Sequence, residues 1–368
     1  MLLIFDPPKN HLSVEDRFGS KTLCLLMEHG VSVRRFDLWP GFFYRRLLLS
    51  CLPGRRTLFH HGPARLGCWL NLRQVKKGDA VWVNGPSLPL HDTQCRFERA
   101  AKAKGAAYIF WLEDDLFSDD YYHDSAVARA LLADLVICVT PALCDRVREY
   151  CPGRNVLLLE EPIDTERVQG VRKIPGARVV VWNGRPNNLH TLQELAPVLK
   201  RVYEKMPFEF RLIVGRRRPL LDLSIPWTWQ SYDRLQESEL CAGAVAAVAP
   251  LADTPYNQCK GNYKVKNYLA LGIPPVTTSV GYNQMLVRHG FNGFLADSED
   301  EWVLALDRLL NEPGLAMAMG SNAREDAIAR FSHERLIPKW AAMLKLAMPA
   351  LVSLRGAPTA LPEDHASR

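Results

Sequence analysis

The sequence predicts an α/β protein with two doubly wound domains, and three observations carry this prediction. Short apolar segments alternate with amphipathic helical patterns along the whole chain, which is typical of parallel sheets covered by helices. The 368 residues are enough for two domains of ordinary size. Between the halves, residues 160–175 read EEPIDTERVQGVRKIP, a polar stretch with a proline near each end that predicts a linker. We therefore expect two Rossmann-like sheets that face each other across a cleft.

The first domain is predicted over residues 1–165. Candidate helices at 17–29 and 92–104 connect its apolar segments. The segments predicted as strands are 2–5, 31–36, 80–83, 107–111, 135–139 and 155–159.

The second domain is predicted over residues 176–340. Its clearest helix covers 189–206, where apolar residues recur at i, i+3 and i+4. Ser298 and Glu301 have the spacing of a capping box at the start of another helix. The segments predicted as strands are 178–182, 211–214, 227–229 and 244–249. Residues 341–368 are expected to be a helix end followed by a frayed tail.

The segment 250–296 is the most informative part of the chain. It reads PLADTPYNQCKGNYKVKNYLALGIPPVTTSVGYNQMLVRHGFNGFLA and joins a lysine-bearing loop to a helix, a short strand and a glycine turn. Gly272 is expected to end the helix, because glycine readily adopts positive φ. Lys260 and Lys264 flank the predicted helix N-terminus, where unpaired N–H groups favour phosphate. The alternative is a solvated basic helix start.

Composition and charge narrow the class of protein. Hydrophobic residues are 48% and charged residues 23%, so the chain is globular, and a formal charge of +6 suits an anionic small ligand or a membrane surface as well as nucleic acid. The nine cysteines form no CxxC pair and no zinc-like spacing, which predicts reduced, buried thiols and no metal. The N-terminus lacks the features of a signal peptide, and the longest apolar run, 244–252, is too short to span a membrane. A cytoplasmic protein is expected.

The second half resembles the GT-B nucleotide-sugar glycosyltransferases, specifically the retaining group of bacterial surface-polysaccharide enzymes. The resemblance depends on WNGRPNNLHTLQELAPVLKRV, on the 250–296 segment and on MGSNAREDAIARFS, whereas the first half is similar only in pattern. It implies a nucleotide diphosphate-sugar as co-substrate without a further cofactor, and a glycan or lipid-linked acceptor. It also implies transfer with retention.

The resemblance also implies roles for individual residues. Arg185 occupies the position of a diphosphate-binding arginine, and Lys264 is expected to assist departure of the diphosphate. The residues expected to contact the donor are Asn183, Gly184, Lys260, Gly261, Asn262 and Asn267. A surface arginine in a polar loop is the alternative reading of Arg185.

One departure from the family pattern concerns two glutamates that many members carry eight residues apart. Cys259 and Asn267 occupy the corresponding positions here. In those members the first glutamate contacts the sugar and the second contacts the ribose. Asn267, at the second position, can hydrogen-bond a ribose hydroxyl, but it carries no charge. We therefore expect a variant donor site.

An acidic segment, LEDDLF at 112–117, follows a predicted strand of the first domain. Asp114 and Asp115 are candidates for a catalytic base, for acceptor binding or for metal ligation. The alternative is a helix N-terminus enriched in acids. His123, His60 and His61 are weaker candidates for contact with the donor sugar.

A basic and aromatic segment from Trp39 to Lys77 suits an anionic membrane surface, which would place the enzyme on the inner face of the cell membrane. A solvated basic rim explains the same residues, and no nucleic-acid motif accompanies them. Two other classes remain open for the whole chain: a non-hydrolysing sugar-nucleotide epimerase and a non-catalytic protein that binds sugar nucleotides.

Overall fold

The computed structural model describes residues 1–6, 19–37, 70–84 and 93–353, which form two parallel sheets of six strands each. The order in the first sheet is β2-β1-β3-β4-β5-β6. Its strands are β1 (Leu2–Asp6), β2 (Val33–Asp37), β3 (Ala80–Asn84), β4 (Ala107–Leu112), β5 (Leu135–Cys138) and β6 (Val156–Leu158). Every pairing in it is parallel, and the residues of β4 and β5 are buried throughout, as expected of strands covered on both faces.

The second sheet has the order β12-β11-β10-β7-β8-β9. Its strands are β7 (Val179–Gly184), β8 (Glu209–Val214), β9 (Trp227–Gln230), β10 (Ala244–Ala249), β11 (Pro275–Thr277) and β12 (Phe294–Leu295). Side chains of β7 alternate between two apolar layers, with Val180 and Trp182 on one side and Val179 and Val181 on the other. Both faces of this sheet are therefore covered.

Helices connect and cover the strands. Those of the first domain are α1 (Ser20–Glu28), α2 (Arg96–Ala103), α3 (His123–Leu132) and α4 (Pro141–Tyr150). Those that follow are α5 (His190–Lys205), α6 (Glu237–Leu240), α7 (Pro255–Gln258), α8 (Tyr263–Leu271), α9 (Asn283–Leu286), α10 (Glu299–Asn311), α11 (Pro313–Phe331) and α12 (His333–Ser353). The predicted capping box is present at the start of α10, and Gly272 ends α8 with φ of 69°. None of the helices described here is long and apolar enough to cross a membrane.

The last helix, α12, packs against the first domain. Its Trp340 lies 5.4 Å from Trp111 and 6.3 Å from Trp82, measured between ring centroids, and Leu344 belongs to the same apolar core. The boundary predicted at residue 340 therefore divides a continuous helix. The sequence could not show this, because the apolar face of a helix does not say which sheet it covers. The predicted frayed tail after residue 353 lies outside the described residues.

The remaining sequence predictions agree closely with these elements. Predicted strand ends differ from the observed ones by at most two residues, and β12 was not predicted because two residues carry no detectable period. Of the seven described cysteines, Cys24 is exposed and the other six are buried thiols.

Candidate active site

The strand order of the second sheet reverses between β7 and β10, since the chain continues from β7 to β8 on one side and returns to β10 on the other. Ligands of open parallel sheets bind outside the carboxyl ends of the strands at such a reversal. The two strands end at Gly184 and Ala249. Arg185 and the segment that begins at Pro250 therefore border one crevice.

The carboxyl edge of the first sheet faces this crevice. Thr140, two residues after β5, donates a hydrogen bond of 2.8 Å from its hydroxyl to the carbonyl oxygen of Cys259. The hydroxyl of Tyr256 hydrogen-bonds Asp114, which follows β4. The predicted cleft between two sheet edges is thus present, and it brings the acidic segment to the lysine-bearing loop.

Arg185 is exposed at the end of β7. It precedes a 3-10 turn, Pro186–Asn188, and has extended backbone angles. A guanidinium at this switch point can bind two phosphate oxygens through two parallel hydrogen bonds.

Lys264 lies in the first turn of α8, with its ammonium nitrogen 4.2 Å from the centroid of the Trp182 ring. Burial, reinforced by the nearby Lys260, lowers the pKa of Lys264 to about 7. A neighbouring anion would favour the charged form, since an opposite charge raises the pKa of an amine.

Lys260 lies at the end of the loop that precedes α8. Its ammonium nitrogen is 4.7 Å from the centroid of the Tyr256 ring. Burial lowers the pKa of Lys260, and the negative charge of Asp114 acts in the opposite direction. Two lysines that repel each other in a partly desolvated crevice favour a doubly charged anion between them.

Residue 184 must be glycine because the side chain of Trp182, two residues earlier on the same face of β7, occupies the space of a Cβ atom. A Cβ atom at this position would lie 2.5 Å from the nearest atom of the Trp182 ring, which curls over the glycine. The indole thus fills space beside the sheet edge, and its buried N–H has no hydrogen-bond partner among the described residues.

Gly261 and Asn262 shape the turn into α8. A Cβ atom on Gly261 would lie 2.8 Å from an oxygen of Glu161, so this turn packs directly against the linker. Asn262 has left-handed backbone angles, which asparagine tolerates better than most residues. Its amide nitrogen is buried and has no partner in the described part of the chain.

Asn183 and Asn267 meet at one buried carboxylate. The amide nitrogens of both donate to Oε1 of Glu237, at 3.0 Å from Asn183 and 2.5 Å from Asn267. The backbone N–H of Asn183 also donates to the Tyr268 hydroxyl at 2.8 Å. Sequence reasoning missed Glu237, because nothing in the polar segment DRLQESEL distinguishes it from a surface glutamate.

Asp114 and Asp115 have different surroundings. The carboxylate of Asp115 is fully buried, accepts a 2.5 Å hydrogen bond from the Ser118 hydroxyl and lies 3.3 Å from Nε of Arg146. The thiol of Cys259 also approaches it, and burial together with Asp115 raises the pKa of that thiol to about 11. Asp114 is half-buried and faces Lys260 across the cleft. Of the two carboxylates, Asp114 is therefore better placed to meet a substrate.

The histidine candidates contribute little to the described site. Nδ1 of His123 lies 2.7 Å from the carbonyl oxygen of Phe117, and its ring packs edge-on against Tyr150. His60 and His61 lie outside the described residues. Within the ranges that the structure covers, no cluster of three or more histidines, cysteines or carboxylates could hold a metal ion.

Comparisons with known proteins agree with this geometry. Residues 264–326 match the family described as Glycosyl transferases group 1. No curated protein sequence matches the chain. The family match begins at Lys264 and therefore includes the helix that borders the crevice.

Solved structures share the architecture across most of the chain. Sucrose-phosphate synthase from Thermosynechococcus elongatus is 15% identical, with 95% of this chain and 99% of that one covered and a TM-score of 0.69. HepE from Anabaena, solved with UDP and glucose, is 15% identical, with 94% and 99% covered and a TM-score of 0.62. TarM from S. aureus is 15% identical, with 76% of this chain and 58% of that one covered and a TM-score of 0.59. The chain thus spans about three fifths of TarM.

The protein therefore has the GT-B fold of these solved structures, as its sequence indicated, and one segment of its second domain matches a glycosyltransferase family. The predicted architecture, two Rossmann-like domains facing across a cleft, is confirmed.

Proposed function

We propose that this protein transfers a glycosyl group, with retention, from a nucleotide diphosphate-sugar to a hydroxyl of a glycan or lipid-linked acceptor in surface polysaccharide or glycoconjugate synthesis. The observation that carries the proposal is the position of Arg185 directly after β7 and of Lys260 and Lys264 at the start of α8, where Lys264 contacts Trp182 of β7. HepE and the pneumococcal GtfA, which share this fold, were each solved in complex with UDP, and this supports a nucleotide as ligand.

The chemistry requires positive charge in this crevice. When the bond between the anomeric carbon and the diphosphate oxygen breaks, its electron pair stays on that oxygen, and the leaving group gains negative charge. Lys264 and Arg185 would stabilise this charge, and such preorganised charges are worth most where water is excluded. The pKa of Lys264 is about 7 in the free protein and rises beside the negative charge of the leaving group, so Lys264 becomes fully charged as the bond breaks.

Retention in a single step requires attack from the face that the diphosphate leaves. In the proposed reaction the acceptor hydroxyl forms the new bond to the anomeric carbon on that face, and the departing diphosphate oxygen takes the hydroxyl proton. The products are the glycosylated acceptor and a nucleoside diphosphate. No protein carboxylate is needed as nucleophile, and Asp114 would orient the acceptor from the opposite side of the cleft. The anomeric configuration of the product tests this stereochemistry.

The donor site is tested by measuring thermal stabilisation with nucleoside diphosphates and their sugars, since a ligand that binds only the folded state raises its stability. Arg185→Ala and Lys264→Ala should each weaken binding about tenfold or more, the range for a charge-assisted hydrogen bond. Lys200→Ala is a matched control, because Lys200 is 55% exposed on α5 and pairs with the exposed Glu204 one turn further along the helix. If both crevice variants bind and turn over like the parent protein, the diphosphate site is wrong.

Two experiments separate the competing functions. A sugar-nucleotide epimerase would change the donor sugar without an acceptor, whereas a glycosyltransferase would release nucleoside diphosphate only in step with acceptor consumption. A non-catalytic binding protein would be stabilised by the donor but would show no turnover across a panel of acceptors.

We further propose that the enzyme works in the cytoplasm on an anionic membrane surface. Most of the basic segment from Trp39 to Lys77 lies outside the described residues, but a second basic loop supports the proposal. Arg216, Arg217 and Arg218 are exposed after β8, and the nearby Leu220 is fully exposed. Each arginine near an anionic surface contributes roughly 1 kcal/mol of attraction.

Sedimentation with vesicles of phosphatidylserine and phosphatidylcholine tests this surface. Replacing the three loop arginines by glutamine should reduce binding at low salt, whereas neutral vesicles should bind neither protein. Absence of binding to anionic vesicles at low salt would exclude the membrane proposal and leave the donor chemistry unaffected.

A further inference from the structure

Glu237 connects three parts of the second domain through one buried carboxylate. It lies in α6 with 4% of its surface exposed. Its Oε1 accepts from Asn183 at the end of β7 and from Asn267 on α8, and its Oε2 lies 3.5 Å from Nη1 of Arg167 in the linker. Both carboxylate oxygens therefore face donors.

This arrangement decides which way the amide of Asn267 points. A carboxylate only accepts hydrogen bonds, so the amide nitrogen must face Glu237 and the amide oxygen must face away. That oxygen, Oδ1, is buried and has no hydrogen-bond partner among the described residues. A buried acceptor without a donor is costly, so a ligand hydroxyl that donates to it would be bound favourably.

Asn267 is also within reach of the diphosphate site. It follows Lys264 by three residues on α8, so the two side chains lie on the same face about one helical turn, roughly 5 Å, apart. In a nucleotide diphosphate the ribose is bonded directly to the diphosphate. The group next to a diphosphate held by Lys264 is therefore a ribose, which offers hydroxyl donors.

Resting on the donor site proposed above, we propose that Glu237 is a positioning residue that orients Asn267 to accept a hydrogen bond from a ribose hydroxyl of the donor. The same contact explains why residue 267 is neutral. A glutamate there would place two carboxylates together in a buried site, which is strongly unfavourable.

The test compares each ribonucleoside diphosphate of uridine, guanosine, cytidine and adenosine with its 2′-deoxy and 3′-deoxy forms by titration calorimetry. For the preferred base, the parent protein should bind at least one deoxy form about three- to tenfold more weakly, which is the value of one hydrogen bond. Asn267→Ala should lose this discrimination while its affinity for the deoxy forms changes little.

Glu237→Gln should also lose most of the discrimination, because glutamine cannot accept from Arg167 and from the two asparagines at once. Glu239→Gln is the matched control, since Glu239 is on the same helix but is 71% exposed. The double variant Glu237→Gln/Asn267→Glu moves the carboxylate to α8 and should restore discrimination. If Glu237→Gln does not fold, as judged by circular dichroism, the double variant decides: restored discrimination supports the role of the carboxylate, and its loss would overturn it.

Two results would overturn the inference. Equal affinity of the parent protein for the ribose and both deoxy forms would leave the diphosphate site intact but exclude a ribose contact by Asn267. Full discrimination in Asn267→Ala or in Glu237→Gln would assign the ribose contact to another residue. If none of the diphosphates binds, the proposed function itself fails together with this inference.

Discussion

The ammonium of Lys264 lies 4.2 Å from the centroid of the Trp182 ring, so a cation at the start of α8 rests on an indole at the end of β7. The contact joins the two elements that border the switch point of the second sheet. An aromatic face attracts a cation but cannot hydrate it. The ring therefore holds the amine in place, but it does not replace the hydrogen bonds to water that burial removes. Because the charged form loses this hydration, the pKa of Lys264 falls to about 7.

The first prediction concerns the pH dependence of donor binding. Above pH 7 the amine of Lys264 is largely neutral in the free protein, and a bound diphosphate favours its charged form. Nucleoside diphosphate affinity should therefore rise as the pH falls from 8.5 to 7, by at most about tenfold per unit for one proton. Calorimetry in buffers of different ionisation enthalpy should show proton uptake.

Stability should respond to pH in the opposite direction. The folded pKa of Lys264 lies below the unfolded value of about 10.4, so its contribution to folding becomes more favourable as the pH rises from 7 towards 10. Lys264→Arg keeps its charge at all these pH values and should show a flat affinity profile. A parent protein whose affinity is constant between pH 7 and 8.5 would contradict the assignment.

The second prediction is that Gly184→Ala destabilises the protein. The added methyl group would lie 2.5 Å from the Trp182 ring, and overpacking of this kind costs about 1–3 kcal/mol. Thermal unfolding measures the loss. The double variant Trp182→Leu/Gly184→Ala should cost less than the sum of its single changes. Exact additivity would show that the ring is not what excludes a side chain at 184.

The third prediction separates the two aspartates. Asp115→Asn should lower the stability by about 1–3 kcal/mol, since it weakens the contacts with Ser118 and Arg146 in a buried site. Asp114→Asn should affect acceptor turnover more than stability, because Asp114 is half-buried and faces the cleft. Both variants are compared by thermal unfolding and by turnover. Full activity in both would place any catalytic carboxylate elsewhere.

The fourth prediction concerns the contact between the two domains at Thr140. Its hydroxyl donates to the Cys259 carbonyl and accepts from the backbone N–H of Leu143 at the start of α4. Thr140→Val removes both bonds and should cost about 1–2 kcal/mol. Thr140→Ser keeps the hydroxyl and should lose much less. Denaturant titration distinguishes these values, and equal losses would mean that the hydroxyl bonds contribute nothing.

The fifth prediction is that Trp340 stabilises the first domain, although it follows the second in sequence. Trp340→Ala removes a buried ring that packs on Trp82 and Trp111 and should cost about 3–5 kcal/mol. Met317→Ala, on the neighbouring helix α11 with 57% of its surface exposed, is the control and should be nearly neutral. A small loss for Trp340→Ala would show that α12 is not part of that core.

The sequence by itself determined the strands of the two sheets apart from β12, the approximate bounds of α1, α2 and α5, and the lysine-bearing crossover. These features depend on local patterns: apolar runs mark buried strands, the 3.6-residue period marks helices, and Gly272 ends α8 because its backbone angles suit few other residues. The sequence also predicted that Arg185 and Lys264 border one crevice, since parallel strands bring their carboxyl ends to a common edge.

The tertiary structure alone decided which residues meet. Glu237 contacts Asn267 across 30 residues, Thr140 contacts Cys259 across 119, and Trp340 reaches the first sheet. Each pair joins segments whose own patterns are complete without the partner, so no local period predicts the contact. Burial then gives these pairs their chemistry, because a carboxylate or an amine removed from water depends on the few groups that folding places beside it.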